Sequence, residues 1–382
     1  MKREAHKLPS LSNDPANAGN NRTLYGGQAV IEGVMMRSPR FFAVACRRLS
    51  NGEIMVRQEN VESMTAKWQW MNKPFLRGTL ALVDSMVMGY RALMYAANIQ
   101  MADEAAQNPP DSPKAADPPT APRADAGGSA ESQAETAAEK EVDQAAGASI
   151  NGIAIGATVF LALFFALGLF WVVPTLLTQI VQHQLHIGRH VTVAQSILLN
   201  LGDGLIRIAI FLGYVLLISR MDHVKRLFQY HGAEHKAINA LEAGKPLTLE
   251  SARESSRIHP RCGTNFIFIV LIVGIIVYSF FGRPPIYIRV PLHLMLLPVV
   301  AGISFEVLKF AGKYRDKKWA QWLVAPGLAT QYLTTRVPDD SQIEVALAAL
   351  VSVWDKEHEV AAPAPALSAV AEEEPEPASA VA

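Results

Sequence analysis

The sequence predicts an α-helical polytopic membrane protein with four spans and a small β-rich N-terminal cytoplasmic subdomain. Three observations support this class. Long runs almost without charge occupy residues 151–311, whereas residues 1–150 are largely polar. A glycine-rich, β-rich stretch precedes the apolar half of the chain. Lysine and arginine are concentrated on one side of the predicted spans, which fixes their orientation.

The polar segments at the two ends and in the middle of the chain are predicted to be disordered. Residues 1–22 are rich in Asn, Lys, Pro and Ser, and residues 101–150 and 361–382 are dominated by Ala, Pro, Glu and Ser. Such compositions bury too little apolar surface to offset the entropy lost on ordering. We therefore expect two disordered ends and a disordered linker.

Residues 23–73 are predicted to form the β-rich subdomain. Two runs rich in β-formers, FFAVACRRL and IMVRQENV, flank a turn that contains Asn51 and Gly52. An Asn-Gly pair between two such runs is a strong hairpin signal.

Residues 74–100 are predicted to form a helix that begins at Pro74. Its charges Arg77, Asp84 and Arg91 are seven residues apart and share one stripe. The helix either packs on the spans or lies in the membrane interface, because charges throughout its length disfavour a full span.

Four apolar segments make up a membrane domain at 151–312. Each is long enough, or nearly so, to cross a hydrocarbon core of about 30 Å. They are Ile153–Ile180, Ala194–Ser219, Asn265–Phe281 and Val290–Leu308.

The distribution of basic residues predicts that both termini and the segment 220–262 are cytoplasmic. That segment contains eight Lys or Arg, and five more lie at 309–318, whereas the opposite side has only Arg189, Arg283 and Arg289. Residues 313–360 should form a cytoplasmic helical segment, since Ser341–Trp354 has apolar residues at helical spacing.

The basic segment 220–262 contains the residues most able to carry chemistry. On a helix, His231, Glu234 and His235 would share one face at positions i, i+3 and i+4. Two imidazoles one turn apart can hold a divalent metal, and the order His-x-x-Glu-His is the inverted zinc-protease pattern.

A second pair, His259 and Cys262, stands at His-x-x-Cys spacing in a Pro- and Gly-containing turn. Four ligands, His231, His235, His259 and Cys262, would close the site and make it structural, whereas three with Glu234 free would permit hydrolysis. Alternatively the histidines are solvated and Cys262 only begins the third span.

Other polar residues in apolar surroundings are further candidates. Asp203 and Arg207 could form an intrahelical pair or line a polar pathway in the second span. Glu306 could reach the metal site or pair with a lysine. Glu32 and Arg37 are charged residues in the otherwise apolar N-terminal run. Glu32 could supply a ligand to the site or form a salt bridge.

The motifs resemble those of the bacterial YqhQ-like family of membrane proteins, a domain of unknown function described as predicted metal-dependent enzymes. They are GGQAVIEGVMMRSP at 26–39, RG at 77–78, FQYHGAEHKAI at 228–238, HPRCGTNF at 259–266 and SFEVLKFAG at 304–312. The resemblance covers residues 23–97 and 150–355. It implies roles for Glu32, Arg37, His231, Glu234, His235, His259, Cys262 and Glu306, and Asp203 stands where a glutamate is more usual.

Two functions follow as hypotheses. The first is a metal-dependent hydrolase of the bacterial inner membrane, in which a divalent metal, zinc by preference, is bound by His231 and His235 with His259 or Cys262, and Glu234 activates water. The second is a non-catalytic assembly or translocation-associated factor that docks a membrane-protein partner on the motif segment. A zero net charge and the absence of a basic domain argue against nucleic acid as a partner.

Overall fold

A computed structural model describes residues 25–61, 73–107, 160–162, 164–184, 186, 192–314 and 317–361. The predictions of disorder for 1–22 and for 362–382 lie outside these residues, as does the prediction for 108–150. The helical class and the N-terminal antiparallel sheet are both confirmed.

The sheet is an antiparallel meander of four strands in the order β1-β2-β3-β4. The strands are β1 (Gly26–Val30), β2 (Gly33–Arg37), β3 (Phe41–Arg47) and β4 (Ile54–Asn60). The predicted hairpin is confirmed, because β3 pairs with β4 across the Asn51-Gly52 turn and Gly52 adopts a φ of 74°.

Helices cover both faces of this sheet. Val34, Met36, Ala43 and Ala45 pack on one face against helices α4 and α9, whose bounds are Asp222–Glu242 and Asp340–Ala361. The alternate residues, Met35, Phe42, Val44 and Cys46, pack on the other face against α1, Leu76–Gln107. Burial of both faces explains why FFAVAC is continuously apolar rather than alternating.

Helix α1 continues to Gln107, seven residues past its predicted end at residue 100. The prediction of disorder is therefore wrong for residues 101–107. Met, Ala, Glu and Gln are strong helix formers, and the carboxylate of buried Asp103 accepts a hydrogen bond from the amide of Ser50 in the hairpin turn.

Among the residues that the structure describes, three helices are long and apolar enough to cross a membrane, and they indicate a membrane protein. The first runs over Phe160–Gln184 and contains a π-helical turn at Gly168–Val172, followed by α2 (Val173–Gln184). The other two are α3 (Val193–Ile218) and α7 (Ile286–Lys313). Large apolar side chains such as Phe164, Leu198 and Met295 are exposed on them, which is compatible with lipid contact. The predicted third span corresponds to the shorter α6 (Gly263–Ser279), which packs against α3 and α7.

The remaining helices are α5 (Leu249–Glu254) and α8 (Lys318–Thr334). Helix α8 follows α7 and packs against α6. The apolar stripe predicted in Ser341–Trp354 is buried on α9, where Ile343, Leu347 and Leu350 contribute to the core beneath the sheet.

Candidate metal site

Three of the predicted ligands converge at the junction between α4 and α6. His231 and His235 lie one turn apart on α4, and Cys262 is the residue immediately before α6. One potential ligand atom from each lies within 4.8 Å of the other two. The Nε2 atom of His231 is 3.1 Å from the Sγ atom of Cys262.

Backbone carbonyls orient both imidazoles. The Nδ1 atom of His231 is 2.9 Å from the carbonyl oxygen of Thr334, and that of His235 is 2.6 Å from the carbonyl oxygen of Arg257. A carbonyl only accepts, so each ring carries its hydrogen on Nδ1 and presents a bare Nε2 atom. Metal-bound histidines are held in the same way.

The Nε2 atom of His235 is buried, and no group among the described residues meets it in hydrogen-bond geometry. An unsatisfied buried nitrogen carries a free-energy cost unless something binds it. Burial also lowers the pKa of His235, which favours the neutral imidazole that a metal requires. The residues present therefore fit a divalent cation.

Cys262 occupies the N-cap position of α6, and its sulfur accepts a hydrogen bond from the Thr264 amide at 3.5 Å. The positive end of the helix dipole thus points at the sulfur, which suits a negatively charged ligand.

Glu234 is buried on the same turn of α4. Burial raises the pKa of its carboxyl group, while His231, His259 and the amide of Gly27 oppose that shift. Its Oε2 atom has no hydrogen-bond partner. Gly27 on β1 is required here, because a Cβ atom at that position would lie 2.9 Å from Cγ of Glu234.

His259, the fourth predicted ligand, is not part of the three-residue cluster. Its Nε2 atom lies 3.4 Å from Oε1 of Glu242, which also pairs with Arg261. The ring centroids of His259 and His235 are 5.7 Å apart. His259 is therefore placed beside the cluster, with its imidazole turned to a carboxylate.

A cavity of about 630 Å³ lies next to the cluster, between the sheet and the ends of α6 and α7. His231, Glu234 and Cys262 contribute polar groups, and Arg37 and Arg261 contribute two guanidinium groups. Apolar residues of the helices form the opposite wall: Ala81, Leu82, Phe266, Ile267, Phe305 and Leu308.

The remaining N-terminal and span candidates lie apart from the cluster. Glu32 forms a salt bridge with Arg226 on α4 and accepts a hydrogen bond from the Tyr230 hydroxyl group at 3.2 Å. Glu306 pairs with Arg77 and not with a lysine, through two hydrogen bonds of 2.7 and 2.6 Å. This pair connects α7 to α1. Both carboxylates thus join elements around the site.

Asp203 and Arg207 form the predicted intrahelical ion pair, with an Nη2 to Oδ2 distance of 2.8 Å. Both residues lie on α3. Tyr278, near the end of α6, and His293 on α7 line the same cavity as this pair.

Sequence reasoning missed the residues that hold the histidines. Gln331 on α8 donates from Nε2 to the carbonyl oxygen of His259 at 2.8 Å and accepts from its amide at 2.9 Å. Thr334 is 103 residues from His231 in the sequence, and Gln331 is 72 residues from His259. No local sequence pattern could therefore reveal these contacts.

The described residues combine apolar helices that indicate a membrane protein with a small sheet, beside which α4 and α6 bring together a His/Cys cluster. The chain belongs to the family described as "Protein of unknown function (DUF1385)", which matches residues 73–356. It is 33% identical over 327 residues to "Uncharacterized protein YqhQ" of Bacillus subtilis (strain 168), covering 85% of this chain and 90% of that protein. No solved structure matches the chain.

Proposed function

We propose that the protein is a membrane-bound, metal-dependent hydrolase that binds zinc through His231, His235 and Cys262. The observation that carries this proposal is the convergence of His231, His235 and Cys262, whose potential ligand atoms all lie within 4.8 Å of one another. Three protein ligands leave a fourth position open, which is the arrangement of catalytic rather than structural zinc sites.

In this reaction the protein residues move protons and position the substrate. A zinc ion bound there supplies Lewis acidity. Glu234 accepts a proton from the attacking water, and the hydroxyl group adds to the electrophilic atom of the substrate. Glu234 then returns the proton to the leaving group as the scissile bond breaks. Arg37 and Arg261 line the cavity and would stabilise negative charge on the substrate.

The membrane placement of this site is part of the proposal. Helix α6 serves as the fourth span, since its 17 residues reach the lower limit for crossing a bilayer. The concentration of basic residues after α3 and α7 supports an orientation with the sheet, the site and both termini on the cytoplasmic side of the bacterial inner membrane. The apolar wall of the cavity then suits a substrate that carries apolar groups.

Metal analysis of the purified protein tests the ligand set. Wild type is expected to contain one equivalent of zinc, and His231→Ala, His235→Ala and Cys262→Ala are expected to lose it. His223→Ala is the matched control, because His223 is exposed on the same helix. Wild-type protein without stoichiometric metal contradicts the site.

Glu234→Gln separates catalysis from structure. It should retain zinc and abolish function in cells that depend on the protein, because the amide cannot accept the proton. Full function of this variant would contradict the hydrolase.

A fully functional Glu234→Gln variant would favour an assembly or translocation-associated factor. One feature supports this second candidate: α1 exposes Val83, Met86, Val87, Tyr90 and Leu93 along one side. This stripe could contact a membrane-protein partner, or lipid, beside the spans.

A further inference from the structure

A second cluster of charges lies at the far end of the membrane helices. Asp203, Arg207 and Arg289 are all buried there, and Arg283 lies in the turn between α6 and α7. Arg207 lies over the ring of Tyr278, the penultimate residue of α6, at 5.9 Å from its centroid. Since α6 has 17 residues and a helix rises by about 1.5 Å per residue, that end of α6 is roughly 25 Å from Cys262. The charge cluster is therefore distinct from the three metal ligands.

The cluster has an excess of positive charge. Asp203 is the sole acidic residue of 151–221, and residues 263–305 contain none. Its carboxylate is already bound to Arg207 at 2.8 Å and to the Thr178 hydroxyl group at 3.1 Å. Three guanidinium groups thus share one carboxylate, which leaves a net charge of about plus two that is costly at membrane depth.

Several of the guanidinium nitrogens lack partners. Within the described part of the chain, nothing accepts a hydrogen bond from four buried nitrogens: Nε of Arg207, Nε and Nη2 of Arg289 and Nη2 of Arg283. The contacts that Arg207 and Arg283 make through their other nitrogens are with Asp203, His293 and Asn200. Arg289 is 3% exposed and Arg207 is 8% exposed, so water does not readily satisfy them. Buried, unpaired N–H donors on an uncompensated cation indicate an anionic ligand.

A cavity of about 320 Å³ lies against this cluster. Arg207, Asp203, Asn200 and His293 provide its polar surface. The rest of the lining is apolar and aromatic: Phe170, Trp171, Phe211, Tyr214, Ile275, Tyr278 and Leu297. The combination of a cationic end and an apolar wall matches a molecule with a charged head and a hydrocarbon portion.

We propose that this cavity binds a phosphate group that carries two negative charges, presented by an amphiphile such as a lipid phosphate monoester. The phosphate oxygens accept from Arg207, which lines the cavity, and the apolar wall holds the hydrocarbon portion. Arg289 is not part of the lining, but it is close enough to Asp203 and Arg207 for its charge to act on the same site. Two negative charges balance the excess of two positive charges, which a zwitterionic lipid cannot do.

Lipid binding to the full-length protein tests this site. The purified protein is titrated with phosphatidic acid or with phosphatidylcholine, and bound lipid is counted by native mass spectrometry. Wild type should retain one phosphatidic acid and no phosphatidylcholine. Arg289→Gln should weaken retention by about tenfold, as expected for the loss of one of the buried positive charges that attract the phosphate. Arg220→Gln, an exposed arginine at the other end of α3, is the matched control and should bind as wild type does.

Asp203→Asn gives a readout that a purely structural role would not produce. Removal of the single carboxylate raises the positive charge, so a folded Asp203→Asn protein should bind phosphatidic acid more tightly. Equal retention of the two lipids by wild type, or equal binding by wild type and Arg289→Gln, overturns the proposal.

Inorganic phosphate distinguishes the source of the anion. Stabilisation by phosphate that depends on Arg289, without retention of phosphatidic acid, assigns the site to a soluble phosphate and overturns the lipid assignment. Displacement of bound phosphatidic acid only by high phosphate supports the lipid headgroup.

Discussion

At the residue scale, the site depends on how tightly the β1 backbone covers Glu234. Gly27 donates its amide to this carboxyl group and leaves no room for a side chain. The buried carboxylate is thereby fixed beside His231 on the motif helix. A glycine in β1 is thus as much a part of the site as the ligands on α4.

Gly27→Ala is expected to destabilise the protein by about 1–3 kcal/mol, because a Cβ atom there would lie 2.9 Å from Cγ of Glu234 and 2.5 Å from the Met35 carbonyl oxygen. The measurement is the apparent melting temperature in detergent. Gly26→Ala is the control, since nothing lies within 4 Å of its added carbon. Equal melting temperatures for the two variants would show that Glu234 is not packed against β1.

The sequence predicted the candidate metal ligands and Glu234 better than it predicted the groups that hold these side chains in position. Helical spacing was sufficient to place His231, Glu234 and His235 on one face, and the HxxC spacing suggested the approach of Cys262. It could not show that His259 turns to Glu242, because that contact depends on how α4 and the turn before α6 meet. The partners of the histidine Nδ1 atoms are backbone carbonyls, which leave no mark on the sequence.

At the scale of elements, α1 connects the membrane helices to the sheet. Its first turns lie against α7, where Gly78 faces Phe305 and Arg77 pairs with Glu306. Its later turns cover the sheet through Met88, Ala92 and Ala96. One wall of the cavity comes from α1, so its position on α7 sets the width of that cavity.

Gly302 on α7 lies against the backbone of Phe75, the residue immediately before α1, and Gly302→Ala should push the start of α1 away from α7. An added Cβ atom would collide with the backbone carbonyl of Phe75, which cannot move without shifting the start of α1. We expect a loss of about 1–3 kcal/mol and faster proteolytic cleavage before α1. Gly312→Ala on the same helix meets nothing within 4 Å and should behave as wild type. If both variants resist protease equally, α1 does not pack on α7 as described.

Element type was largely predictable, whereas element packing was not. The hairpin, the motif helix and the buried stripe of α9 followed from turn chemistry and helical period. The end of α1 did not, because the contact of Asp103 with the hairpin turn extends the helix into a segment of linker-like composition. The bounds of α6 are the other difference: the helix has the 17 residues that were predicted, but it begins and ends two residues earlier, because the chain turns at Phe280 and Phe281 although its apolar run continues there.

At the scale of the whole molecule, the proposal places the sheet and the metal site on one side of the membrane and the arginine cluster on the other. Only charge asymmetry and the alternation of the helices support this orientation. Both native cysteines are buried, so single added cysteines can report on sidedness.

Asn51→Cys and Gln184→Cys should react differently with a membrane-impermeant maleimide. Both positions are exposed, one in the hairpin turn and the other at the end of the first span. In intact cells only Gln184→Cys should be labelled, and Asn51→Cys should react after permeabilisation. Labelling of Asn51→Cys in intact cells would invert the proposed orientation.

The most direct test of the central claim is the absorption spectrum of the protein titrated with Co²⁺ in place of zinc. We expect saturation at one equivalent, with a thiolate-to-cobalt charge-transfer band in the near ultraviolet that is lost in Cys262→Ala and retained in Cys46→Ala. A stoichiometric complex without that band, or a band that survives in Cys262→Ala, would contradict a metal site formed by His231, His235 and Cys262.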